Sequence, residues 1–422
     1  MSSTPDALIV GTGEYVTGYV GGSMAQSDKK CGVVGLVHFD LRRRGFIGSK
    51  IVLAGRNGTK FPNIRKHLQA MIESKYKDLT CEFESFPCDT TQRDPEAWVK
   101  AMDSMKRGDI VSVFTPDDKH FEVAAAALKR GLHCMVAKPL VKSLKEHWEL
   151  VNLAAENNVL LMIEVHKRFD PIYADARHRI HYEIGEFNFF NSYMSQPAFQ
   201  LETFRDWAGI SSDISYYLNS HHVDFHTWSM QGLFRPIKVV GMASSGHAEK
   251  VLNRPCEDTI TLMVTWESLS ETHGKKSIGT ATYTASWTVP KCDVHSQQRF
   301  YCQGSEELIQ IDQCRRSYFT SRNDTGVVNR NPLYMCYTPN AEGYFAGQHG
   351  YGYISFQRFV EAASAINRGE KNAQYFNDIL PTAASTLEVT AILEAGRFSI
   401  DNGSSSVKIV YENSQPLKLQ LC

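Results

Sequence analysis

The 422-residue sequence has no excess of charge of either sign, because 45 lysine and arginine residues are matched by 46 aspartate and glutamate residues. A formal net charge of −1 gives no electrostatic reason to expect nucleic acid or an anionic membrane surface as a partner. No apolar run approaches the roughly 18 residues of a membrane span. Met1–Asp6 also lacks the basic region and apolar stretch of a secretory signal.

The ten cysteines show no paired C-x-x-C spacing, and no internal repeat or low-complexity segment is visible. Scattered cysteines are typical of free thiols in a reducing compartment. We therefore expect a cytoplasmic protein with free thiols. At roughly 150 residues per domain, the length allows about two or three domains with a large buried core.

Short apolar runs alternate with helical patterns up to residue 166. Strands are predicted at Ala7–Val10, Ile51–Ala54, Cys81–Phe86, Asp109–Thr115, His133–Ala137 and Val159–Val165. Helices are predicted around Leu68–Ile72 and at Trp98–Met105, Phe121–Arg130 and Leu144–Asn157. Alternation of this kind predicts an α/β fold with a doubly wound parallel sheet, a Rossmann domain, over residues 1–166.

The pattern changes in the second part of the chain, residues 167–422. Strand-like runs lie close together at Ile260–Trp266, Thr280–Trp287 and Leu308–Ile311, and helical patterns surround His221 and cover Phe356–Arg368 and Asp378–Ile400. This predicts an α+β substrate-binding domain with a mainly antiparallel open sheet, whose terminal helix can pack back on the first domain. An open sheet needs its exposed face covered, so we also expect a homodimer through it.

A glycine-rich loop follows the first predicted strand. Gly11, Thr12 and Gly13, followed by Glu14 and Tyr15, carry the first two glycines of the G-x-G-x-x-G pattern. The first glycine permits a tight turn and the second lets the backbone approach a pyrophosphate. Val16 stands in place of the third glycine. These residues predict a dinucleotide-binding loop, against the alternative of an ordinary turn.

The residue that contacts the adenosine ribose depends on where the second strand lies. If Val33–Phe39 is that strand, Asp40 is placed to bind the ribose hydroxyls, which favours NAD(H). If residues 33–44 are helical, Ile51–Ala54 is the second strand and Arg56 and Asn57 follow it. We prefer the helix, because its apolar residues share one face. A guanidinium at Arg56 can pair with a 2′-phosphate, so we predict NADP(H) as the preferred cofactor, with NAD(H) as the alternative.

Lys138 follows directly on a predicted strand, at the edge where parallel sheets present their ligands. An ammonium there can donate a proton to an alkoxide formed beside a nicotinamide, and the alternative is a surface lysine. Tyr217, His221 and Asp224 are spaced so that a helix places them on one face, where Asp224 can orient the imidazole and Tyr217 can bind substrate. His222 and His226 also suggest a metal site, but no third ligand is evident, and we predict none.

Several motifs occur in an order that resembles the Gfo/Idh/MocA oxidoreductase family. They are the glycine loop, Thr115-Pro116 with His120, Lys138-Pro139, Glu164–Pro171, Phe204-Arg205, the helix with His221, and the segment Gly304–Asp312. The sequence departs from the family pattern at Ala137, where a glutamate is usual, at Val16, and at Tyr217, where many members have aspartate. The first departure raises the question of which group orients Lys138.

Within that family, the segments Phe39–Gly45, Ser212–Asn219 and Asp293–Arg299 are similar to those of fungal D-galacturonate reductases. The likeness implies reduction of the aldehyde of D-galacturonate to L-galactonate by a reduced nicotinamide cofactor. Alternatives are another aldose or dihydrodiol oxidoreductase, and a non-catalytic regulator that senses a dinucleotide.

The resemblance also implies roles for further residues. Thr115, Pro116, His120, Lys138 and Arg168 are implied to contact the cofactor. The implied substrate site comprises Lys138, Lys167, Arg205, Tyr217, His221 and His222, with Lys138, His221 and Tyr217 as catalytic candidates. A uronate carboxylate needs a cation, and Lys167, Arg168, Arg205 and Arg299 all remain open for that role.

Overall fold

The computed structural model describes residues 4–25, 29–272, 274–292, 294–324 and 326–422. The segment Met1–Asp6, considered above as a possible signal, is therefore described only from Thr4, and Asp293 lies outside the described residues. Within these ranges, every helix is too short or too polar to traverse a lipid bilayer.

The first part of the chain alternates strands and helices as predicted. Its elements are β1 (Ala7–Val10), α1 (Glu14–Thr17), β2 (Tyr19–Val20), β3 (Ser23–Met24), α2 (Val34–Arg43), β4 (Ile51–Ala54), α3 (Phe61–Leu68), β5 (Glu84–Phe86), α4 (Ala97–Asp103), β6 (Ile110–Val113), α5 (His120–Lys129), β7 (His133–Ala137), α6 (Leu144–Asn157) and β8 (Leu161–Glu164). Six of these strands form a parallel sheet in the order β5-β4-β1-β6-β7-β8. This order reverses at β1, which places a ligand crevice outside the carboxyl ends of β1 and β6.

The remaining elements follow in chain order. They are α7 (Pro171–Tyr182), β9 (Phe187–Pro197), α8 (Ser220–Met230), β10 (Phe234–Ser245), α9 (His247–Leu252), β11 (Glu257–Thr272), β12 (Lys275–Val289), β13 (Gln297–Gly304), β14 (Leu308–Asp312), β15 (Phe319–Arg322), β16 (Gly326–Asn329), α10 (Tyr351–Asn367), α11 (Leu387–Asp401), β17 (Val407–Glu412) and β18 (Gln415–Leu421). A π-helical turn, Ser215–Asn219, leads directly into α8.

Eight described strands form an open sheet in the order β14-β13-β9-β12-β11-β10-β17-β18. Its pairs are antiparallel except for β9 with β12. One face packs on α7, α8 and α11 around the fully buried side chains of Trp266, Trp287 and Tyr283. The opposite face carries alternating threonines together with half-exposed Met242 and Met263. The predicted fold class is confirmed.

Both faces of the parallel sheet are covered. Side chains on one face of the sheet, including those of Val111 and Val136, pack under α4, α5 and α6. Side chains on the other face, including that of Ile9, pack against α2 and against Phe356 and Phe359 of α10. Strands that are buried on both faces read as continuous apolar runs, which is why the sequence located them well. Helix α10 thus completes the core of the first sheet although it lies almost 200 residues beyond β8.

The structure shifts several predicted boundaries. Strand β5 begins at Glu84 rather than at Cys81, because the backbone N–H of Cys81 donates to the Glu73 carboxylate at 2.6 Å and so leaves the sheet. The last helix begins at Leu387, since the preceding segment passes beside β8, where Ile163 donates to the Pro381 carbonyl. Residues 198–202 beside Arg205 form a short 3₁₀ helix. The division at residue 166 stays a prediction.

Candidate active site

The carboxyl edge of the parallel sheet gathers most of the residues that the sequence singled out. They are Gly11, Thr12 and Gly13 after β1, Arg56 and Asn57 after β4, Thr115 and Pro116 after β6, Lys138 after β7, and Lys167 and Arg168 after β8. Helix α8 brings His221 to the same edge from the second part of the chain, and the π-helical turn before it brings Tyr217. We call this edge, where residues of both parts of the chain meet, the cleft.

The glycine loop has the geometry that a dinucleotide requires. Gly11 has a φ of +122°, and a Cβ there would lie 2.2 Å from the Phe114 carbonyl oxygen. Above Gly13, in contrast, no heavy atom lies within 4 Å of a Cβ position, so its backbone is open to a ligand. The close packing that a third glycine would give comes from α2, where Gly35 approaches the carbonyl of Val16. The substitution at Val16 is thereby compensated from the neighbouring helix.

The preferred position of the second strand is confirmed, because residues 34–43 form α2 and Ile51–Ala54 forms β4. Asp40 is fully buried, and its carboxylate accepts hydrogen bonds from Arg43 and Tyr353. It is therefore not available to a ribose. The Arg56 side chain is exposed beyond the end of β4, and its backbone carbonyl accepts from Asp94 at 2.9 Å.

Lys138 projects from the end of β7 toward α8. Its ammonium donates to the backbone carbonyl of Tyr217 and lies 4.0 Å from the centre of the Tyr217 ring. Burial lowers the pKa of Lys138 to about 8, while the carboxylates of Asp117 and Glu164 oppose that shift and Lys29 adds to it. A lysine poised near neutrality can hold a proton and release it within one turnover.

Tyr217 and His221 do not share an α-helical face in the predicted way, because Tyr217 lies in the π-helical turn and α8 begins only at Ser220. Burial raises the pKa of the Tyr217 phenol to about 12. The phenol therefore stays protonated at neutral pH. Its ring serves as a wall against which the Lys138 ammonium rests.

His221 is buried in the first turn of α8. Burial is the first cause that lowers its pKa well below the ordinary value, followed by the nearby cations Lys138 and Lys167. Its Nδ1 atom is buried and has no hydrogen-bond partner among the described residues. A neutral ring with an unsatisfied nitrogen is suited to hydrogen-bond a substrate rather than to act as a cationic acid.

The predicted role of Asp224 is wrong. Its two carboxylate oxygens accept from Arg168 at 2.7 and 2.9 Å, and both side chains are almost fully buried. Asp224 is therefore engaged with Arg168 rather than with His221. Because of this ion pair, the Arg168 guanidinium is engaged with Asp224 rather than free to contact the cofactor, as the sequence had suggested. The guanidinium also lies 5.4 Å from the centre of the Trp228 ring.

Two other histidines serve packing. His120 is fully buried, with its ring nitrogens 2.8 Å from the Pro139 carbonyl and 3.0 Å from the Thr115 carbonyl. It joins the loops after β6 and β7 and has no exposed surface for a cofactor. His222 is also fully buried, and its Nε2 atom is hydrogen-bonded to the Tyr173 hydroxyl at 2.9 Å. This placement argues against the substrate contact suggested for His222.

The four candidate cations differ in their partners. Arg205 is bound through two nitrogens to exposed Glu202, and Arg299 is exposed and lies 5.1 Å from the ring of Tyr193. Lys167 is buried, and the acceptors of its ammonium are the neutral amides of Gln298 and Gln313. Burial lowers the pKa of Lys167 to about 7. Its charge is thus not offset by a hydrogen-bonded carboxylate.

His222 and His226, which were considered as metal ligands, pack among aromatic side chains. His226 Nδ1 is 2.6 Å from the Tyr283 hydroxyl, and its ring stacks on Phe190 at 4.2 Å. Across the described ranges, no group of three histidine, cysteine or acidic side chains is arranged to hold a metal ion.

The sequence interpretation missed three residues of the cleft. Asp117 follows β6 and is half-buried; loss of hydration raises its pKa, and the nearby His120 and Lys138 oppose that shift. Glu164 ends β8, and His166 follows it with its ring centre 5.4 Å from that of His221. The signal for Glu164 was present, because it is an acidic residue that closes a continuous apolar strand.

The residues at the cleft fit a nicotinamide dinucleotide. The loop over Gly13 is open, Arg56 is exposed at the adenosine end, and the buried Thr115 hydroxyl and His221 Nδ1 have no partners among the described residues. Such unsatisfied polar atoms are expected where a ligand completes the hydrogen bonds.

Comparison with known proteins agrees with this geometry. Residues 6–165 match the Gfo/Idh/MocA family, described as an oxidoreductase family with an NAD-binding Rossmann fold. The match covers 160 of the 422 residues, which is less than half of the chain. The resemblance seen in the sequence agrees with this match over residues 6–165.

Curated relatives of this domain include inositol and nucleotide-sugar dehydrogenases as well as uncharacterized oxidoreductases. The chain is 27% identical over 190 residues to scyllo-inositol 2-dehydrogenase (NAD(+)) of Bacillus subtilis, a match covering 44% of this chain and 51% of that protein. It is 38% identical over 63 residues to UDP-N-acetylglucosamine 3-dehydrogenase of Acidithiobacillus ferrooxidans, covering 15% and 20% of the two chains. The chain thus matches about half the length or less of these relatives.

The fold likeness extends over nearly the whole chain. A scyllo-inositol dehydrogenase from Lactobacillus casei, solved with NAD(H) and scyllo-inositol, superposes with a TM-score of 0.61 at 14% identity and covers 96% of this chain and 99% of its own. The myo-inositol 2-dehydrogenase of Lactobacillus plantarum gives 0.63 at 16% identity, with 96% and 100% covered. The second sheet therefore shares its fold with the second part of these solved dehydrogenases.

Proposed function

We propose that the protein reduces the aldehyde of a uronic acid with a reduced nicotinamide cofactor, D-galacturonate to L-galactonate being the first reaction to test. The observation that carries the proposal is the buried ammonium of Lys138, placed at the ligand edge of an NAD-binding Rossmann sheet and beside His221. The resemblance to D-galacturonate reductases adds the substrate.

In the proposed mechanism the cofactor supplies the hydride to the carbonyl carbon. Lys138 Nζ holds the proton that the carbonyl oxygen acquires, and its positive charge stabilises the alkoxide as it forms. His221 Nδ1 and Thr115 Oγ1, which have no hydrogen-bond partner among the described residues, would hydrogen-bond to polar groups of the substrate or cofactor. Tyr217 positions the ammonium through its carbonyl and its ring.

We assign the substrate carboxylate to Lys167. Among the four cations considered from the sequence, it is the buried one whose hydrogen-bonded partners are neutral. Its charge acts on His221 and on Lys138, which supports a position close to both. Because its hydrogen-bonded partners are neutral amides, the ammonium form of Lys167 can pair with an anionic ligand.

Oxidation of NADPH with a panel of aldehydes tests this function. We expect turnover with D-galacturonate, and Lys167→Gln should lower kcat/KM for the uronate by about tenfold or more, since a charge-assisted hydrogen bond is lost. Activity on a neutral aldose should change little. The exposed Lys145→Gln serves as the matched control. Equal losses on charged and neutral substrates would contradict the role of Lys167.

The relatives named as inositol dehydrogenases favour a second candidate, the oxidation of a neutral polyol. Scyllo-inositol with NAD(+) or NADP(+) therefore belongs in the panel. Turnover of the polyol without turnover of any uronate would replace the first proposal. Absence of turnover with all substrates, together with tight dinucleotide binding, would instead support a dinucleotide-sensing regulator.

Cofactor preference rests on Arg56. We propose NADP(H), because the exposed guanidinium follows β4 and Asp40 is engaged elsewhere. Arg56→Ala should raise the Kd for NADPH about tenfold or more and leave that for NADH nearly unchanged, since only NADPH offers a 2′-phosphate. Fluorescence titration measures both, with the exposed Lys66→Ala as control. Equal weakening of the two cofactors would contradict the contact.

Two expectations from the sequence are retained as proposals. A cytoplasmic location is supported by the ten cysteines, all of which are free. A homodimer is supported by the outer face of the second sheet, where Met242 and Met263 are about half exposed. Light scattering at the mass of one chain would contradict the dimer.

A further inference from the structure

Glu164 occupies an unusual position beside the lysine. It is the last residue of β8, it is 4% exposed, and its register partner in the adjacent parallel strand is Ala137. Register partners in neighbouring strands are about 4.8 Å apart and point to the same face. The carboxylate therefore lies next to the residue that precedes Lys138, although it comes from a different strand.

The hydrogen-bond partners of the Glu164 carboxylate are a serine and a histidine rather than a lysine or an arginine. Its Oε1 atom accepts from Ser355 Oγ of α10 at 3.3 Å and from His166 Nδ1 at 3.2 Å. A buried carboxylate is costly unless hydrogen bonds or a cation compensate for lost hydration. Lys138 is the cation that follows its register partner, and Glu164 is one of two carboxylates whose charge raises the pKa of that lysine.

The same carboxylate fixes His166. Because carboxylate oxygens only accept, the Nδ1 atom of His166 carries a hydrogen and donates it to Glu164. The ring stacks on Tyr351 at 5.7 Å, contacts Tyr334 edge-on at 5.3 Å and lies 5.4 Å from His221. Glu164 thus lies beside the strand end that precedes Lys138, and it is connected to His221 through His166.

We propose that Glu164 is a positioning residue of the reductase site, which supplies the counter-charge for Lys138 and holds His166 against His221. The inference rests on the proposed function. It also answers the question raised by Ala137, since the carboxylate absent at that position is provided from the neighbouring strand.

The charge balance around the pair involves several elements. The titratable groups that act on Lys138, on Glu164 or on their contacts are Lys29 before α2, Asp117 after β6, His166 and Lys167 after β8, Tyr217 and His221 at α8, and Tyr334 before α10. Asp117 is the other carboxylate that acts on Lys138, so removal of Glu164 leaves the ammonium with a reduced but not abolished counter-charge.

The test is the pH profile of carbonyl reduction. In Glu164→Gln the pKa of Lys138 should fall, because a nearby negative charge that favours the ammonium is gone. The alkaline limb of kcat/KM should therefore move down by about one pH unit. The exposed Glu149→Gln should leave it in place. Glu164→Asp, which keeps the charge but shortens the side chain, should retain the wild-type limb with a lower kcat.

A relocated charge separates positioning from mere structural support. The double variant Ala137→Glu with Glu164→Gln moves the carboxylate from position 164 to position 137. The alkaline limb of its kcat/KM profile should therefore lie at higher pH than that of Glu164→Gln alone. An unshifted limb in Glu164→Gln, or no recovery in the double variant, would overturn the proposal.

A measurement that needs no turnover distinguishes this proposal from the proposed function. The pH dependence of Lys138 acetylation in the folded protein, followed by mass spectrometry of the peptide that contains Lys138 after quenching and digestion, reports the lysine pKa. We expect a lower value in Glu164→Gln than in wild type, even if the wild-type protein turns over none of the tested substrates. Equal values in the two proteins would overturn the role of Glu164 and leave the reductase proposal standing.

Discussion

Lys138→Met should lower kcat for aldehyde reduction by about 10²–10⁴-fold, which is the usual contribution of a positioned proton donor. Methionine preserves the length and the apolar part of the side chain, so the wall formed by Tyr217 stays covered. The ammonium, its hydrogen bond to the Tyr217 carbonyl and its proton are lost. Cofactor affinity, measured by fluorescence titration, should change little, because the glycine loop and Arg56 are unaltered.

The pH dependence of the wild-type protein provides a second measure of the same group. The donor is competent when protonated, so reduction should proceed below pH 8 and decline as pH rises through the pKa of about 8 that burial gives Lys138. Oxidation of the product alcohol should show the opposite trend. The exposed Lys129→Met is the matched control and should retain both rate and profile. Undiminished kcat in Lys138→Met would refute the proton-donor role.

Asp224→Asn should produce the largest loss of stability, about 3–5 kcal/mol in the free energy of unfolding. The substitution keeps the size of the side chain but leaves the Arg168 guanidinium without its carboxylate. Arg168 and Asp224 have side-chain exposures of 6% and 1%, so water cannot replace the lost partner. Urea denaturation followed by circular dichroism measures the change.

The exposed pair of Asp175 and Arg179 offers a control of matched chemistry. Its side chains are 66% and 44% exposed, and Asp175→Asn should cost less than about 1 kcal/mol. Replacing both buried partners, as in Arg168→Met with Asp224→Leu, should recover part of the stability, because no unpaired charge remains. A loss in Asp224→Asn no greater than that in Asp175→Asn would contradict a structural role for the pair.

The fold could be predicted from local patterns because the strands of the parallel sheet are buried on both faces. Ile51–Ala54 is apolar at every position, and its partners in the sheet are equally so. The segment 33–44 required a choice between strand and helix, and the shared apolar face of Leu36, Val37 and Leu41 decided it correctly. Boundaries were less accurate where a single hydrogen bond, such as that from Cys81, removes residues from the sheet.

The candidate site could be predicted in position but not in its pairings. Helical spacing suggested that Asp224 orients His221, but spacing does not reveal that Arg168 reaches the same carboxylate from another element. The π-helical turn at Ser215–Asn219 changes the angle between Tyr217 and His221 around the helix axis. No residue type in this segment predicts such a turn. Glu164 was overlooked because its importance depends on the register of β7 and β8, which is a tertiary property.

The position of α10 affects the order in which the first core forms during synthesis of the chain. Its side chains Phe356, Phe359 and Ile366 close the same core as Ile9 and Leu36. During synthesis from the N-terminus, the glycine loop and all six strands of the first sheet emerge well before the helix that seals one of their faces. That face stays open to water until residues beyond 350 have left the ribosome. A nascent chain should therefore acquire full dinucleotide affinity late, and a fragment that ends near residue 166 should need chaperone protection.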